Sequence, residues 1–287
     1  RVAADRMVCC NNLRQLGIAL HTYHDSYGTF PMSRTFPNNV AVSGLSRLLP
    51  FIEQDNTYKL IDYSVGWSHP NNAAAVAAQV KVFRCPADNA PDRPPGIGIT
   101  NYRVNEGTSL VMWYGATDTN GVNVGMPAPN GVFFCNMTFK ISEIRDGTSN
   151  TAALSEHLIG DFSQSVATER GDTFRPGTYP STPDEAMRDC AAIDINDLSK
   201  QGYSNVGGPW LYGYHSTTSY WHSAPPNTRS CMFPPSRIMT TANSNHPNLV
   251  NVCLCDGSVR AVMNNIHLEV WRAMGTRNGG EAYDQDW

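Results

Sequence analysis

The sequence predicts an α+β protein: one long N-terminal helix packed on an antiparallel β-sheet, with a large loop-rich insertion late in the chain. Three observations predict it. Residues 1–27 carry a helical apolar seam. From Asn101 the apolar pattern shifts towards a period of two, broken by turn residues. Residues 158–245 lose periodicity and fill with Gly, Pro, Ser, Thr and Tyr.

The first stretch, RVAADRMVCCNNLRQLGIALHTYHDSY, gives the helix. Alternating steps of four and three from Val2 reach Arg6, Cys9, Leu13, Leu16, Leu20, Tyr23 and Tyr27, and only Arg6 interrupts an apolar seam. Gly28 stands where a C′ glycine ends a helix, and Pro31 blocks continuation. Such a helix spans about 40 Å. It opens at residue 1 without a cap signal, which sets the expectation of a continuation upstream.

The segment 29–44 reads as a loop with paired turn signals. Residues 45–62 read as a short amphipathic helix interrupted at Pro50. The alanine-rich 72–83 is helix-competent, and Pro86 forces an extended exit into a proline-rich loop over 86–100. NYRVNEG (101–107), SLVMWYG (109–115), GVFFCNMTF (131–139) and TAALSEHLI (151–159) read as strands. Asp146-Gly147 and Asp256-Gly257 are tight-hairpin dipeptides. The insertion 158–245 is expected to fold onto the sheet and offer an exposed aromatic face. Residues 248–264 read as a hairpin turning at Asp256-Gly257, 266–275 as a short helix, and 277–287 as a closing tail.

Composition bounds the function. Charged residues make up 16% of 287, with 23 Gly and 19 Pro, a mix that suits a loop-rich, β-rich extracellular protein. The net charge is −4 and no basic run is present, so nothing points to nucleic acid or an anionic membrane. No stretch reaches about 18 consecutive apolar residues. The eight cysteines, Cys9, Cys10, Cys85, Cys135, Cys190, Cys231, Cys253 and Cys255, favour disulfides and an oxidising compartment, and at least two bridges are expected. Adjacent Cys9 and Cys10 point in different directions on a helix and have separate fates. Cys253 and Cys255 share a strand face and do not pair with each other.

Several constellations are candidates for chemistry. His21 and His24 stand at i and i+3 but lack further ligands at metal spacing, so they read as a polar helix edge. Asp118, Asn120 and Asn123 resemble half of a calcium loop without its distal glutamate, a candidate for a structural calcium ion or a plain turn. Trp210, Tyr212, Tyr214, Tyr220 and Trp221 form a candidate ligand or partner surface, or else a satellite core. Asn136-Met137-Thr138 is a glycosylation sequon. G-x-S-x-G, S-x-x-K, H-E-x-x-H, P-loop and C-x-x-C motifs are all absent.

The run CCNNLRQLGIALHTYHDSYGTFP (9–31) resembles the start of the mature part of a bacterial family with a prepilin-type N-terminal segment and the DUF1559 domain. His246, nine residues and Asp256-Gly257 match the H-X9-DG signature described in that family. LLPFIEQDNTY (48–58), FRCPAD (83–88), IRDGTSNTAALSEH (144–157) and RNGGE (277–281) match in the same order. The resemblance implies a pilin-like fold, with residues 1–30 as the pilin helix and 31–287 as the head. It also implies an apolar helix directly upstream, processed by a prepilin peptidase and handled by secretion or pilus machinery.

The function expected is that of a non-enzymatic structural subunit of an extracellular type IV pilin- or pseudopilin-like filament or surface assembly. Its partners would be copies of itself, meeting along Val2, Leu13, Leu16, Leu20, Tyr23 and Tyr27, at a bacterial cell surface, with no cofactor required. The alternative is an anchored module that binds carbohydrate or protein through the aromatic insertion. His246 with Asp256-Gly257 reads either as an imidazole holding a carboxylate or carbonyl near the strand after the turn, or as a cap on the hairpin base.

Overall fold

The apolar seam becomes helix α1, Val2–Tyr27. The computed structural model describes residues 2–37, 40–89 and 94–281. Parts of the expected loops (38–39 and 90–93) and of the tail (282–287) lie outside the described residues. Gly28 ends α1 at φ +77°, its N–H donating to the His24 carbonyl at 2.7 Å. Cys9, Leu13, Leu16 and Leu20 are buried in the chain's own core, so the three leucines cannot be the expected contact between copies; Tyr23 is half-buried, and Val2 and Tyr27 are exposed. Asn12, Gly17 and Ala19 widen the buried stripe. At Gly17 a Cβ would lie 2.8 Å from Cys253 Sγ and 3.2 Å from Gly257 Cα, so glycine lets the helix approach the strands behind it.

The two helix-competent segments that follow fold as short pieces. A 3-10 helix over Gly44–Ile52 starts on Ser43, whose side chain accepts the Leu45 N–H at 3.1 Å, and accommodates Pro50. Helices α2 (Asp55–Tyr58) and α3 (Ala73–Ala77) follow. The alanine run stops at Ala78, which turns extended at ψ 133°. Its carbonyl accepts from Trp210 Nε1 at 2.8 Å, and the bend lets Val80 and Phe83 both enter the core. Tertiary packing overrides propensity here.

The main sheet has five strands: β1 (Tyr102–Asn105), β2 (Ala152–Glu156), β4 (Ser219–Tyr220), β7 (Leu249–Leu254) and β8 (Val259–Met263). Their order is β4-β1-β2-β7-β8. Three of the pairings are antiparallel, but β4 runs parallel to β1, with Val104 opposite Ser219, so the sheet is mixed rather than purely antiparallel. Helix α1 lies against β7, β2 and β8. The β7–β8 hairpin turns where expected, with Gly257 at φ +83° and its N–H on the Leu254 carbonyl at 2.9 Å.

The segments 109–115 and 131–139 are not regular strands. They make isolated bridges, such as Val111 with Arg237 and Arg34 with Cys135. Leu110–Trp113 and Val132–Cys135 are buried at every position, and scattered backbone bonds, such as Ile238 N–H to the Leu110 carbonyl at 2.7 Å, are supplemented by side chains. Arg34 Nη2 donates to the Met112 carbonyl at 2.6 Å, and Asn123 Nδ2 to the Trp113 carbonyl at 2.9 Å. Arg34 also pairs with Glu106, both fully buried. Asp146-Gly147 turns no hairpin either. The Asp146 carboxylate instead accepts the N–H groups of Gly279 (2.7 Å) and Gly280 (2.9 Å), holding the chain's end.

Residues 158–245 have more order than their composition predicts. They supply β4 to the main sheet and hold a second sheet, β3 (Thr173–Phe174), β5 (Ser230–Phe233) and β6 (Arg237–Met239), in the order β3-β5-β6. Helix α4 (Pro183–Ala191) opens on a capping box between Thr182 and Glu185, with proline at its start. Helix α5 (Leu268–Gly275) lies where expected and seats Trp271 against His222, ring centres 3.9 Å apart. Among the described residues no helix is long and apolar enough to cross a membrane.

Candidate functional site

Strand β2 ends on a carboxylate that its burial makes conspicuous. All five of its residues are buried, and Glu156 is 2% exposed. A buried carboxylate must be partnered. Asn251 on β7 supplies its backbone N–H to Oε2 at 2.7 Å and its amide Nδ2 to Oε1 at 3.0 Å. His246 Nε2 lies 3.2 Å from Oε1. The loop before β7 sets this imidazole by a backbone bond from His246 N–H to Ser244 Oγ, 3.1 Å. The other ring nitrogen, Nδ1, is buried without a hydrogen bond.

A disulfide closes the group. Cys9 of α1 is bonded to Cys85, and Cys85 Sγ lies 3.7 Å from His246 Nε2 and 3.9 Å from Glu156 Oε1. The ligand-type atoms of Cys9, Cys85, Glu156 and His246 all fall within 4.8 Å of one another. Asn101 positions the Cys85 loop. Its Oδ1 accepts the Cys85 N–H at 3.0 Å, and its Nδ2 donates to Asp88 at 2.6 Å. Burial raises the Asp88 carboxyl above the usual carboxylate range. Asn12 of α1 donates to the Arg84 carbonyl (2.7 Å) and to the Tyr102 hydroxyl (3.2 Å), tying the helix to the same loop. A cleft of about 340 Å³, lined by Val2, Asp5, Pro86, Asn245 and His246 among others, opens beside the group.

Four runs far apart in the chain therefore meet at one point: CCNN through Cys9, FRCPAD through Cys85, SEH through Glu156, and the H-X9-DG segment through His246. The two halves of that last signature do not meet. His246 and Asp256-Gly257 lie beyond opposite ends of β7, a strand roughly 20 Å long. His246 reaches β2 rather than β8 or the hairpin base, because Glu156 is the buried acceptor within range. Asp256 accepts from Ser258 N–H (2.8 Å) and Ser258 Oγ (2.7 Å) and so shapes the turn.

The second disulfide, Cys190–Cys231, ties α4 to β5. Cys9 and Cys10 have separate fates and Cys253 does not pair with Cys255, as expected. Cys10, Cys135, Cys253 and Cys255 are free. Burial pushes the Cys135 thiol up to about 11 and the Cys253 thiol up to about 12, so neither is an activated nucleophile.

The other sequence candidates fall elsewhere. Trp210, Tyr220 and Trp221 are fully buried and cannot form a ligand surface, which corrects that expectation. A tryptophan's large apolar area is best removed from water, and here the insertion supplies core to the sheet. Tyr212 and Tyr214 are half-buried and stack at 4.9 Å. Trp67 stacks on Tyr212 at 4.5 Å, and Tyr203 meets Tyr214 edge-on at 5.8 Å, forming a row that the sequence spacing did not connect. The Asp118 carboxylate accepts the N–H groups of Val122 (3.2 Å) and Asn123 (2.8 Å), closing its own loop. The Asn123 amide is buried, and its Nδ2 also donates to Ser236 Oγ at 2.8 Å, while Asn120 is exposed. His24 Nε2 accepts the Ile141 N–H at 3.2 Å, as befits a helix edge packed on the head.

A family model described as a protein of unknown function (DUF1559) matches residues 1–269. No curated protein matches the chain, and no solved structure does.

Proposed function

The chain belongs to DUF1559, a family described only as protein of unknown function, and from its geometry we propose that it is a non-enzymatic structural subunit of an extracellular pilin- or pseudopilin-like filament or surface assembly. The observation that carries this reading is the treatment of α1. The helix is fastened covalently to the head at Cys9, yet most of its first two turns stand exposed, with Val2 at 61% and Met7 at 67%. Val8 and Ile18 are exposed as well. Single exposed apolar residues are ordinary, but this set lies on one rigid, anchored helix. Neighbouring copies packing along it would cover them. The two disulfides are compatible with an extracellular location.

Electron microscopy of the native, unproteolysed material tests the reading. Filaments or tubes with a regular subunit repeat are expected. Replacing Met7 and Val8 by Glu should abolish them while leaving the unfolding of the head unchanged. Monodisperse particles, with membrane lipid supplied, would overturn it.

The row Trp67, Tyr212, Tyr214 and Tyr203 favours a second reading, an anchored module that stacks sugar rings. Binding to a glycan array that disappears with Trp67→Ala would establish it, and an array without signal would discard it.

A further inference from the structure

We propose that the group at Cys9, Cys85, Glu156 and His246 is a redox-gated metal site: once the Cys9–Cys85 disulfide is reduced, these four side chains bind one zinc-type divalent cation. In four-coordinate zinc with S, N and O ligands, the bond lengths place neighbouring ligand atoms roughly 3.3–3.8 Å apart. The folded chain already holds three such separations near these values: His246–Glu156 at 3.2 Å, Cys85–His246 at 3.7 Å and Cys85–Glu156 at 3.9 Å. The two sulfurs must part, and Cys9 Sγ, within 4.8 Å of the other ligand atoms, must move into the fourth position. Thiolate, imidazole and carboxylate together suit zinc better than calcium or magnesium, which take oxygen ligands.

The surroundings fit a closed metal site. All four residues are buried. The Glu156 carboxylate is oriented by both donors of Asn251, as an outer-shell partner would do. The cleft beside His246 gives an entry path. The ligands come from α1, the Cys85 loop, β2 and the segment before β7, so a bound ion would hold the two elements that the disulfide joins now and fasten two more to them. The other disulfide has no such company. The pocket beside it is lined by Met187, Ala224 and Met239 among others, and no His, Asp or Glu lines it.

The chemistry balances with a dithiol reductant. It supplies two electrons and two protons and leaves as its own disulfide, and the chain gains two thiols. The cation then displaces both thiol protons to water.

The test uses the full chain, reduced without air by a trialkylphosphine, which water converts to the phosphine oxide. Zinc is titrated with detection by native mass spectrometry, and cobalt(II) by its visible spectrum. One equivalent is expected, with a two-thiolate cobalt spectrum and recovery of the share of thermal stability that the Cys9–Cys85 bond supplied, while the oxidised chain takes up none. His246→Ala and Glu156→Gln should each weaken binding at least about tenfold. Cys190→Ser with Cys231→Ser should leave it unchanged, which separates the site from binding by the thiols that the second disulfide releases on reduction. The proposal is overturned if the reduced chain retains no zinc or does not recover stability with it. Binding of undiminished affinity in His246→Ala, or in Cys9→Ser with Cys85→Ser, overturns it equally.

Discussion

Cys9–Cys85 closes a span of 76 residues and Cys190–Cys231 one of 41. By loop closure alone these stabilise the fold by about 4.5 and about 4 kcal/mol, a difference too small to separate them. Their surroundings do separate them. The first joins the N-terminal helix to the Cys85 loop beside an imidazole and a carboxylate, whereas the second joins α4 to β5 beside a largely apolar pocket. The same bond is a local staple in one place and the centre of a polar cluster in the other. What a disulfide can do depends on the atoms within about 4 Å of its sulfurs.

The largest effect should come from removing each bridge in turn. Cys9→Ala with Cys85→Ala should cost about 4 kcal/mol in denaturant unfolding and release the amides of α1 to hydrogen exchange. Cys190→Ala with Cys231→Ala should cost a similar amount but release α4 and the second sheet instead. Identical exchange maps would erase the distinction between the two regions.

Glu156→Ala should cost about 3 kcal/mol, because it strands two Asn251 donors and His246 in the interior. His246→Ala leaves the carboxylate both Asn251 bonds and should cost about half as much. Equal losses in the two variants would show that the imidazole, not Asn251, is the main support of the carboxylate.

At Gly17 the packing of α1 on the β7–β8 hairpin can be probed away from the cluster, without touching a charged group. Gly17→Ala meets Cys253 Sγ and the Gly257 backbone and should cost about 2 kcal/mol, read as a lower denaturation midpoint.

The last effect, absent at neutral pH and felt only in acid, concerns a histidine away from the cluster. His222 donates from Nδ1 to the Trp271 carbonyl at 2.7 Å and accepts from the Tyr220 hydroxyl at 2.9 Å. Burial lowers its pKa to about 3, against an ordinary value of 6.5. The unfolded chain therefore binds the proton first. This contribution to stability is complete above pH 6.5 and is lost as pH falls from 6.5 towards 3, at on the order of 1.4 kcal/mol per pH unit. His222→Gln should flatten that slope in unfolding measured between pH 6 and pH 4, and an unchanged slope would assign it to other groups.

Helix α1 was legible because a single periodicity, a C′ glycine and a proline all agree on its extent. The β7–β8 hairpin was legible from Asp256-Gly257, and β1 and β2 from their period. The segments 109–115 and 131–139 misled because their apolar centres, 110–113 and 132–135, have no period to read. The parallel pairing of β4 with β1 joins residues more than a hundred positions apart and leaves no local mark. Helix α4 did leave one, the T-P-D-E start at Thr182–Glu185, hidden in a stretch dominated by glycine and proline. At the candidate site the sequence pointed to His246 and two of the cysteines but not to Glu156. The signal was a lone acid in AALSEHLI, which in a buried strand demands a partner.

The placement of the first disulfide also bears on mechanics. If the chain is pulled from its N-terminal end, tension enters α1 and passes from Cys9 directly into Cys85. Residues 10–84 lie in a side branch that the force never loads. While the bond holds, about 260 Å of chain cannot pay out, and the load arrives in the loop leading to β1. A subunit tethered by its first helix would yield at its sheet before its N-terminal segment could unravel.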